Sequence, residues 1–229
     1  MINDATDPSD ARRRRVRSFV RRPGRLTPAQ ARALDELLPH YALDPALTDL
    51  RVAFDRRAPL IVEIGCGNGE ALIEMASAEP DRNFIGIEVH EPGVGRLLRA
   101  LHERQLGNVR VAMRDAVEVL REQAVPASID GLRIYFPDPW PKKRHHRRRF
   151  VTPDHLLPLA RVMAAGAEFR LATDIPDYVR QALEEVPQAG FDLVAQGGEP
   201  WDDWISTRYE QKALREGRVP HYLSFRRNG

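Results

Sequence analysis

Only one cysteine, Cys66, occurs in the 229 residues, so no disulfide can form within the chain. No Cys/His cluster has the spacing of a structural zinc site, and a reducing cytoplasm is the expected setting. Long apolar runs are missing too. No uncharged stretch approaches the roughly 18 residues of a membrane helix. The arginine-rich start is not followed by an apolar segment, as a secretory signal would require. Acidic residues are absent from two segments. Arg12 to Arg25 holds eight arginines, and Lys142 to Arg149 holds six Lys/Arg and two His. The net charge is only +2. Two concentrated basic patches on a near-neutral chain imply a polyanionic partner held at a defined place.

What is present has the composition of a soluble globular chain, 42% hydrophobic and 30% charged, and is long enough to bury a core unaided. Residues 1–26 are expected to be a basic, flexible arm, and residues 27–229 a single domain. Thr27-Pro28 has the form of an N-cap with proline in the first turn, and Pro39 is expected to end the helix that follows. From residue 58 strands and helices alternate. Strands are expected at 60–64, 83–88, 109–113, 129–136, 168–173, 191–195 and 219–225. Helices are expected at 70–78, 91–106, 116–123, 153–163 and 176–186. This order predicts an α/β fold with a mostly parallel sheet, helices on both faces, and ligands bound at the carboxyl ends of the strands.

The residues just after each strand carry chemistry. Glu63-Ile64-Gly65-Cys66-Gly67-Asn68-Gly69 is a strand followed by a glycine turn. A dinucleotide fingerprint needs glycine at its sixth position, which here is Glu70, and carboxylates at Glu63 and Glu70 would repel a pyrophosphate. Glu88, ending the second strand, can accept both hydroxyls of a ribose. The combination suits a nucleoside that carries positive charge instead of phosphates, as S-adenosyl-L-methionine does. Asp115 after the third strand can cap a helix or meet the ligand. Phe136-Pro137-Asp138-Pro139-Trp140 ends the fourth strand, and its two prolines fix where the Asp138 carboxylate points. Trp140 can stack on a base or pack beneath the loop. Lys142 to Arg149 suits a phosphate-backbone clamp, which positions RNA without reading its sequence. Asp174 closes the fifth strand, where a cap or turn would also use it. Cys66 is a small residue tolerated in the turn. His145 and His146 belong to the basic patch, and no metal is expected.

Several segments together resemble the bacterial tRNA (guanine-N7-)-methyltransferases, which are class I S-adenosylmethionine-dependent enzymes. These are Ile87-Glu88-Val89-His90, Phe136 to His145, Ala172-Thr173-Asp174, Thr207-Arg208-Tyr209-Glu210 and the early Arg17-Ser18-Phe19-Val20-Arg21-Arg22. The resemblance spans roughly residues 16–228, and the proline-tryptophan loop with its basic tail is its most specific part. It implies a Rossmann-like, seven-stranded sheet whose last strand is antiparallel. It implies methyl transfer to N7 of the variable-loop guanine 46 of tRNA. It implies cofactor contacts from Glu63, Gly65, Gly67, Gly69, Glu88, Asp115 and Asp138, with Asp138 also catalytic. It also implies substrate contacts from Lys142, Asp174, Thr207, Arg208, Tyr209 and Glu210. A monomer or homodimer is compatible with the sequence. The alternative is a related class I methyltransferase acting on another nucleic-acid nitrogen or a protein amine. The loop and its basic run argue against it.

Overall fold

The protein, seen in a computed structural model, is described over residues 24–229, so the arginine-rich stretch up to Pro23 lies outside the described residues. Seven strands form one sheet: β1 (Leu60–Ile64), β2 (Asn83–Ile87), β3 (Val109–Ala112), β4 (Ile129–Tyr135), β5 (Met163–Thr173), β6 (Phe191–Gly197) and β7 (His221–Arg227). Their spatial order is β3-β2-β1-β4-β5-β7-β6, and β7 runs antiparallel to both its neighbours. Every residue of β1 and β2 is buried. Such fully buried strands need cover on both faces, which parallel sheets obtain from their crossover helices.

The helices are α1 (Pro28–Glu36), α2 (Leu38–Tyr41), α3 (Glu70–Ala78), α4 (Glu91–Glu103), α5 (Ala116–Gln123), α6 (Pro153–Val162), α7 (Pro176–Gln188) and α8 (Arg208–Arg215). Alternation along the strands splits the core in two. Leu60, Val62 and Ile64 join Ile85, Leu132 and Ile134 under α5, α6 and α7, where Leu156, Tyr178 and Val186 are buried. Ile61 and Phe84 face the other way, onto Leu72 of α3 and Val94, Leu97 and Leu101 of α4. Each fully buried Leu or Phe contributes about 1.5–3 kcal/mol relative to exposure.

Thr27 caps α1 as expected. Its Oγ1 accepts from the Gln30 N–H at 3.3 Å, and Gln30 Oε1 accepts from the Thr27 N–H at 2.9 Å. This is a reciprocal capping box. Gln30 Nε2 also donates to the Pro92 carbonyl at 3.0 Å, tying α1 to α4.

Several expected boundaries move. Pro39 does not end α1: that helix stops at Glu36, and Pro39 sits in the first turn of α2, where a missing N–H costs nothing. Helix α4 ends at Glu103, short of the expected 106. Strand β5 starts at Met163, directly after α6, because Ala164–Ala167 form a bulge against β4 with Gly166 at φ +78°. Strand β7 starts at His221, one residue after Pro220, which has no N–H to give the ladder. Among the described residues no helix is long and apolar enough to cross a membrane.

Candidate active site

The carboxyl ends of β1, β2 and β4 open onto one cavity of about 280 Å³, with Gly65, Gly67, Glu88, Asp138, Phe150 and Tyr209 in its wall. Of the expected cofactor contacts, Gly65, Gly67, Glu88 and Asp138 come together here from three strands, whereas Glu63, Gly69 and Asp115 do not form part of the wall.

Gly65, Gly67 and Gly69 all have positive φ. The turn folds back over β2, whose Ile87 carbonyl accepts from the N–H groups of Gly65 and Cys66 at 2.8 and 3.3 Å. At Gly69, φ is +78° and a Cβ would lie 2.3 Å from Leu97 Cδ1, so α3 can start here only on glycine. Gly93, in the first turn of α4, is needed for a different reason. A Cβ there would fall 2.6 Å from the Gly67 carbonyl oxygen. Cys66 points inward beside Gly86, and burial pushes its thiol far above the ordinary range, so it is no nucleophile.

Three carboxylates surround this turn. Glu88 Oε2 accepts from the Gly67 N–H at 2.8 Å, and its Oε1 accepts from the Val89 and His90 N–H groups at 2.7 and 2.9 Å. The carboxylate is thus fixed on the cavity wall, with lone pairs left for a ligand's hydroxyls. Glu70, opening α3, accepts from the Arg208 N–H at 2.8 Å and holds α8 beside the turn. Glu63 is buried, and its Oε2 has no hydrogen-bond partner. Burial raises its pKa to about 8 against the pull of Arg133, and the charges of Glu88 and Glu70 add to the rise. Arg133 sits opposite Glu63 across the β1–β4 ladder, and an ionic row continues along the sheet through Glu168 and Arg170 to Asp203. An orphaned acid, two further carboxylates and a ligand-width glycine turn fit a cationic nucleoside such as S-adenosylmethionine, and they oppose a phosphate group.

Asp115 lies between two cavity residues, Arg114 and Ala116, and its Oδ1 caps α5 through the Val117 N–H at 2.8 Å. The cap is the role its contacts show.

The loop bearing Asp138 leaves the sheet abruptly. The Phe136 N–H still donates to the Ala172 carbonyl at 2.8 Å, but Phe136 and Trp140 both adopt left-handed backbone, with φ +48° and +42°. Asp138 is exposed at the cavity rim. Trp140 packs beneath the basic turn, with the Arg148 guanidinium 4.9 Å from its ring centre and His145 edge-on. Lys143–Arg148 form a 3-10 helix that presents Lys142, Lys143, Arg144 and Arg147 to solvent. Partial burial and the neighbouring cations keep the His145 pKa low.

The last cation of the run departs from the expected clamp. Arg149 is 1% exposed. Its Nε donates to the Pro139 carbonyl at 3.0 Å, and its Nη1 donates to Asp177 at 3.0 Å and Gln181 at 2.8 Å. Sequence reasoning could not single it out, because nothing in a run of cations marks the one that turns inward.

Asp174 closes β5 and is ion-paired with Arg218. Tyr209 lies over the glycine turn, within van der Waals reach of Gly67, and the Arg208 guanidinium stacks on its ring at 4.7 Å. With its amide turned to satisfy both groups, Asn68 accepts from Arg208 at 2.8 Å and Arg96 at 3.3 Å. Thr207 and Glu210 are buried rather than presented to the cavity. Thr207 Oγ1 caps α8, accepting from the Glu210 N–H at 3.3 Å. The Glu210 carboxylate accepts from Trp204 Nε1 at 2.9 Å and from the hydroxyls of Ser206 and Tyr222. Sequence reasoning missed this hub. Trp204 and Tyr222 lie on either side of α8 in the chain, and only the fold brings them to Glu210.

A seven-stranded sheet with one antiparallel strand, and an acid-rimmed glycine turn at its carboxyl edge, define a class I methyltransferase that uses S-adenosylmethionine. The comparisons with known proteins narrow this. A family described as "Putative methyltransferase" matches residues 57–223. A tRNA (guanine-N(7)-)-methyltransferase of Paracoccus denitrificans is 60% identical over 169 residues, covering 74% of this chain and 72% of that protein. Another, from Alkalilimnicola ehrlichii, is 47% identical over 223 residues, covering 94% of each. The chain belongs to the tRNA (guanine-N7-)-methyltransferase family. Solved structures share the fold at lower identity. A 16S rRNA (adenine-N1)-methyltransferase from Catenulisporales acidiphilia, determined with its cosubstrate, superimposes with TM-score 0.55 at 17% identity, covering 78% of this chain and 88% of that one.

Proposed function

We propose that the enzyme transfers the methyl group of S-adenosylmethionine to N7 of guanine 46 in the variable loop of tRNA. The single observation that carries the geometric side of this reading is the placement of Glu88 and Asp138 in the wall of one cavity, with the basic turn starting four residues beyond Asp138.

The bound cofactor supplies an electrophilic methyl carbon on a sulfonium. Glu88 would hold its ribose hydroxyls, the turn Gly65–Gly69 would line its backbone side, and Asp115 would meet the adenine. Glu70 complements its positive charge, and Glu63, protonated below a pKa of about 8, offers a neutral carboxyl beside the turn. Guanine N7 carries its lone pair in the ring plane, so the attack needs no general base. The purine gains positive charge as sulfur loses it, and catalysis rests on positioning and a fixed negative group. Asp138 is that group, orienting the reacting partners at the rim. Asp174 suits the guanine N1–H and exocyclic amine once Arg218 gives way, and Tyr209 with Arg208 closes the cofactor side. Thr207 and Glu210 act by holding α8 in place. Lys142, Lys143, Arg144 and Arg147 engage phosphates, as does the N-terminal arm of residues 1–26 beside the single domain 27–229. A monomer or a homodimer is compatible with this arrangement. A tRNA substrate places the enzyme in the cytoplasm.

Asp138→Asn tests the central role. Turnover should fall on the order of 100-fold, the loss typical of removing one preorganised electrostatic group. Near-normal turnover by the folded variant would sink the assignment.

A further inference from the structure

We infer that Arg149 is a positioning residue for methyl transfer, acting through the Asp138 loop; this rests on the reading of Asp138 given above. Its guanidinium is enclosed and joins two pieces of the site just beyond the point where the β4–β5 ladder ends, at the Phe136 N–H bond to the Ala172 carbonyl. On one side Nε donates to the carbonyl of Pro139, the residue after Asp138. On the other, Nη1 donates to Asp177 and Gln181 of α7, the helix that begins two residues after Asp174. Beyond the β4–β5 ladder, one side chain thereby ties the loop bearing Asp138 to the helix that follows Asp174.

The surroundings confirm a built anchor and not a chance burial. The guanidinium lies 4.9 Å from the Tyr178 ring centre, and Tyr178 is completely buried. Gln181 Nε2 donates to the Val151 carbonyl at 2.6 Å, fixing the chain on the far side of Arg149 as well. Asp177 also meets His146 and Arg180, at 3.2 and 2.5 Å. The Asp138 loop is strained at both ends, with Phe136 and Trp140 in left-handed backbone, and Asp138 itself is exposed. Such a loop keeps its geometry only when something outside it holds it. Trp140 packs on Arg148 and His145 within the basic turn, and the Arg149–Pro139 bond is the contact that ties the loop to α7. Lysine cannot replace it, because a compact ammonium lacks the planar fork that spans the loop carbonyl and the α7 pair together.

The test is a double-mutant cycle with Asp138, read by single-turnover methylation of a tRNA transcript and by calorimetry with S-adenosylhomocysteine. Arg149→Lys should lower kcat between about 10-fold and 100-fold, as displacement of a reacting geometry by an ångström does. Affinity for S-adenosylhomocysteine should be unchanged, since Glu88 and the glycine turn are untouched. In an Asp138→Asn background the same substitution should cost little further, because the group it positions is already disabled. Wild-type kcat in folded Arg149→Lys overturns the inference. So does an equal loss in both backgrounds, the signature of a merely structural role. If Arg149→Lys shows no cooperative melting, Asp177→Asn loosens the same anchor and keeps the guanidinium. A smaller loss that vanishes in the Asp138→Asn background supports the inference, and no loss or an equal loss overturns it. Full turnover by Asp138→Asn alone would instead remove the reading of Asp138.

Discussion

Glu63 shows how one residue carries both stability and function. Burial raises its carboxyl pKa from the ordinary 4.5 to about 8, so the folded chain keeps a proton that the unfolded chain has already released. Between those two values the native state binds more protons, and stability must fall as pH rises. Glu63→Gln removes that contribution while keeping the shape. Thermal melting of the variant should depend less on pH between about 4.5 and 8, and at pH 8 the variant should be more stable than the unmodified protein. An unchanged slope would mean that Glu63 is ionised and compensated in the fold. The identity of this acid was legible from its place before the glycine turn. Its burial was not, because that depends on the sheet placing β1 between β2 and β4 with both its faces covered. Arg149 makes the same point more sharply. As a letter it equals its seven basic neighbours, and only the packing of α7 turns it inward.

At the scale of elements, the strand-helix alternation was readable because β1 and β2 are short, mostly apolar runs and each helix has a distinct face. Boundaries were less so. Ala164–Ala167 read as a connection, yet Met163 already pairs with Ile129 of β4, so the strand starts there and carries these residues as a bulge before pairing with both β4 and β7 from Glu168. Thr207 and Glu210 read as substrate contacts through the family resemblance, yet they fasten α8 through its cap, Trp204 and Tyr222. The glycine turn was read correctly, and the structure adds why it cannot vary at Gly69. Gly69→Ala forces a side chain onto Leu97 in a left-handed backbone. Strain and overpacking together should cost roughly 2–5 kcal/mol, seen as a lower urea midpoint in equilibrium unfolding. A midpoint equal to that of the unmodified protein would show that α3 and α4 can separate without penalty.

For the whole molecule, segregation of charge matters more than its sum. A net charge of +2 hides a basic turn beside a cavity rimmed with acids. On the proposed assignment, cofactor and RNA meet opposite potentials a few residues apart, an arrangement that disfavours phosphates in the cofactor cleft. Each of Lys142, Lys143, Arg144 and Arg147 that touches a phosphate should add about 0.7–0.9 to the slope of log affinity for tRNA against log salt. Neutralising all four should flatten that slope, and an unchanged slope would move the RNA to another face. The most direct measurement combines the purified enzyme with labelled S-adenosylmethionine and unmodified tRNA transcripts that carry or lack guanine 46. Reductive strand cleavage then reports N7-methylguanine by position. The account predicts label only in the guanine-bearing transcript, with cleavage at that base. Label without cleavage there, or label in the transcript lacking the guanine, would contradict it.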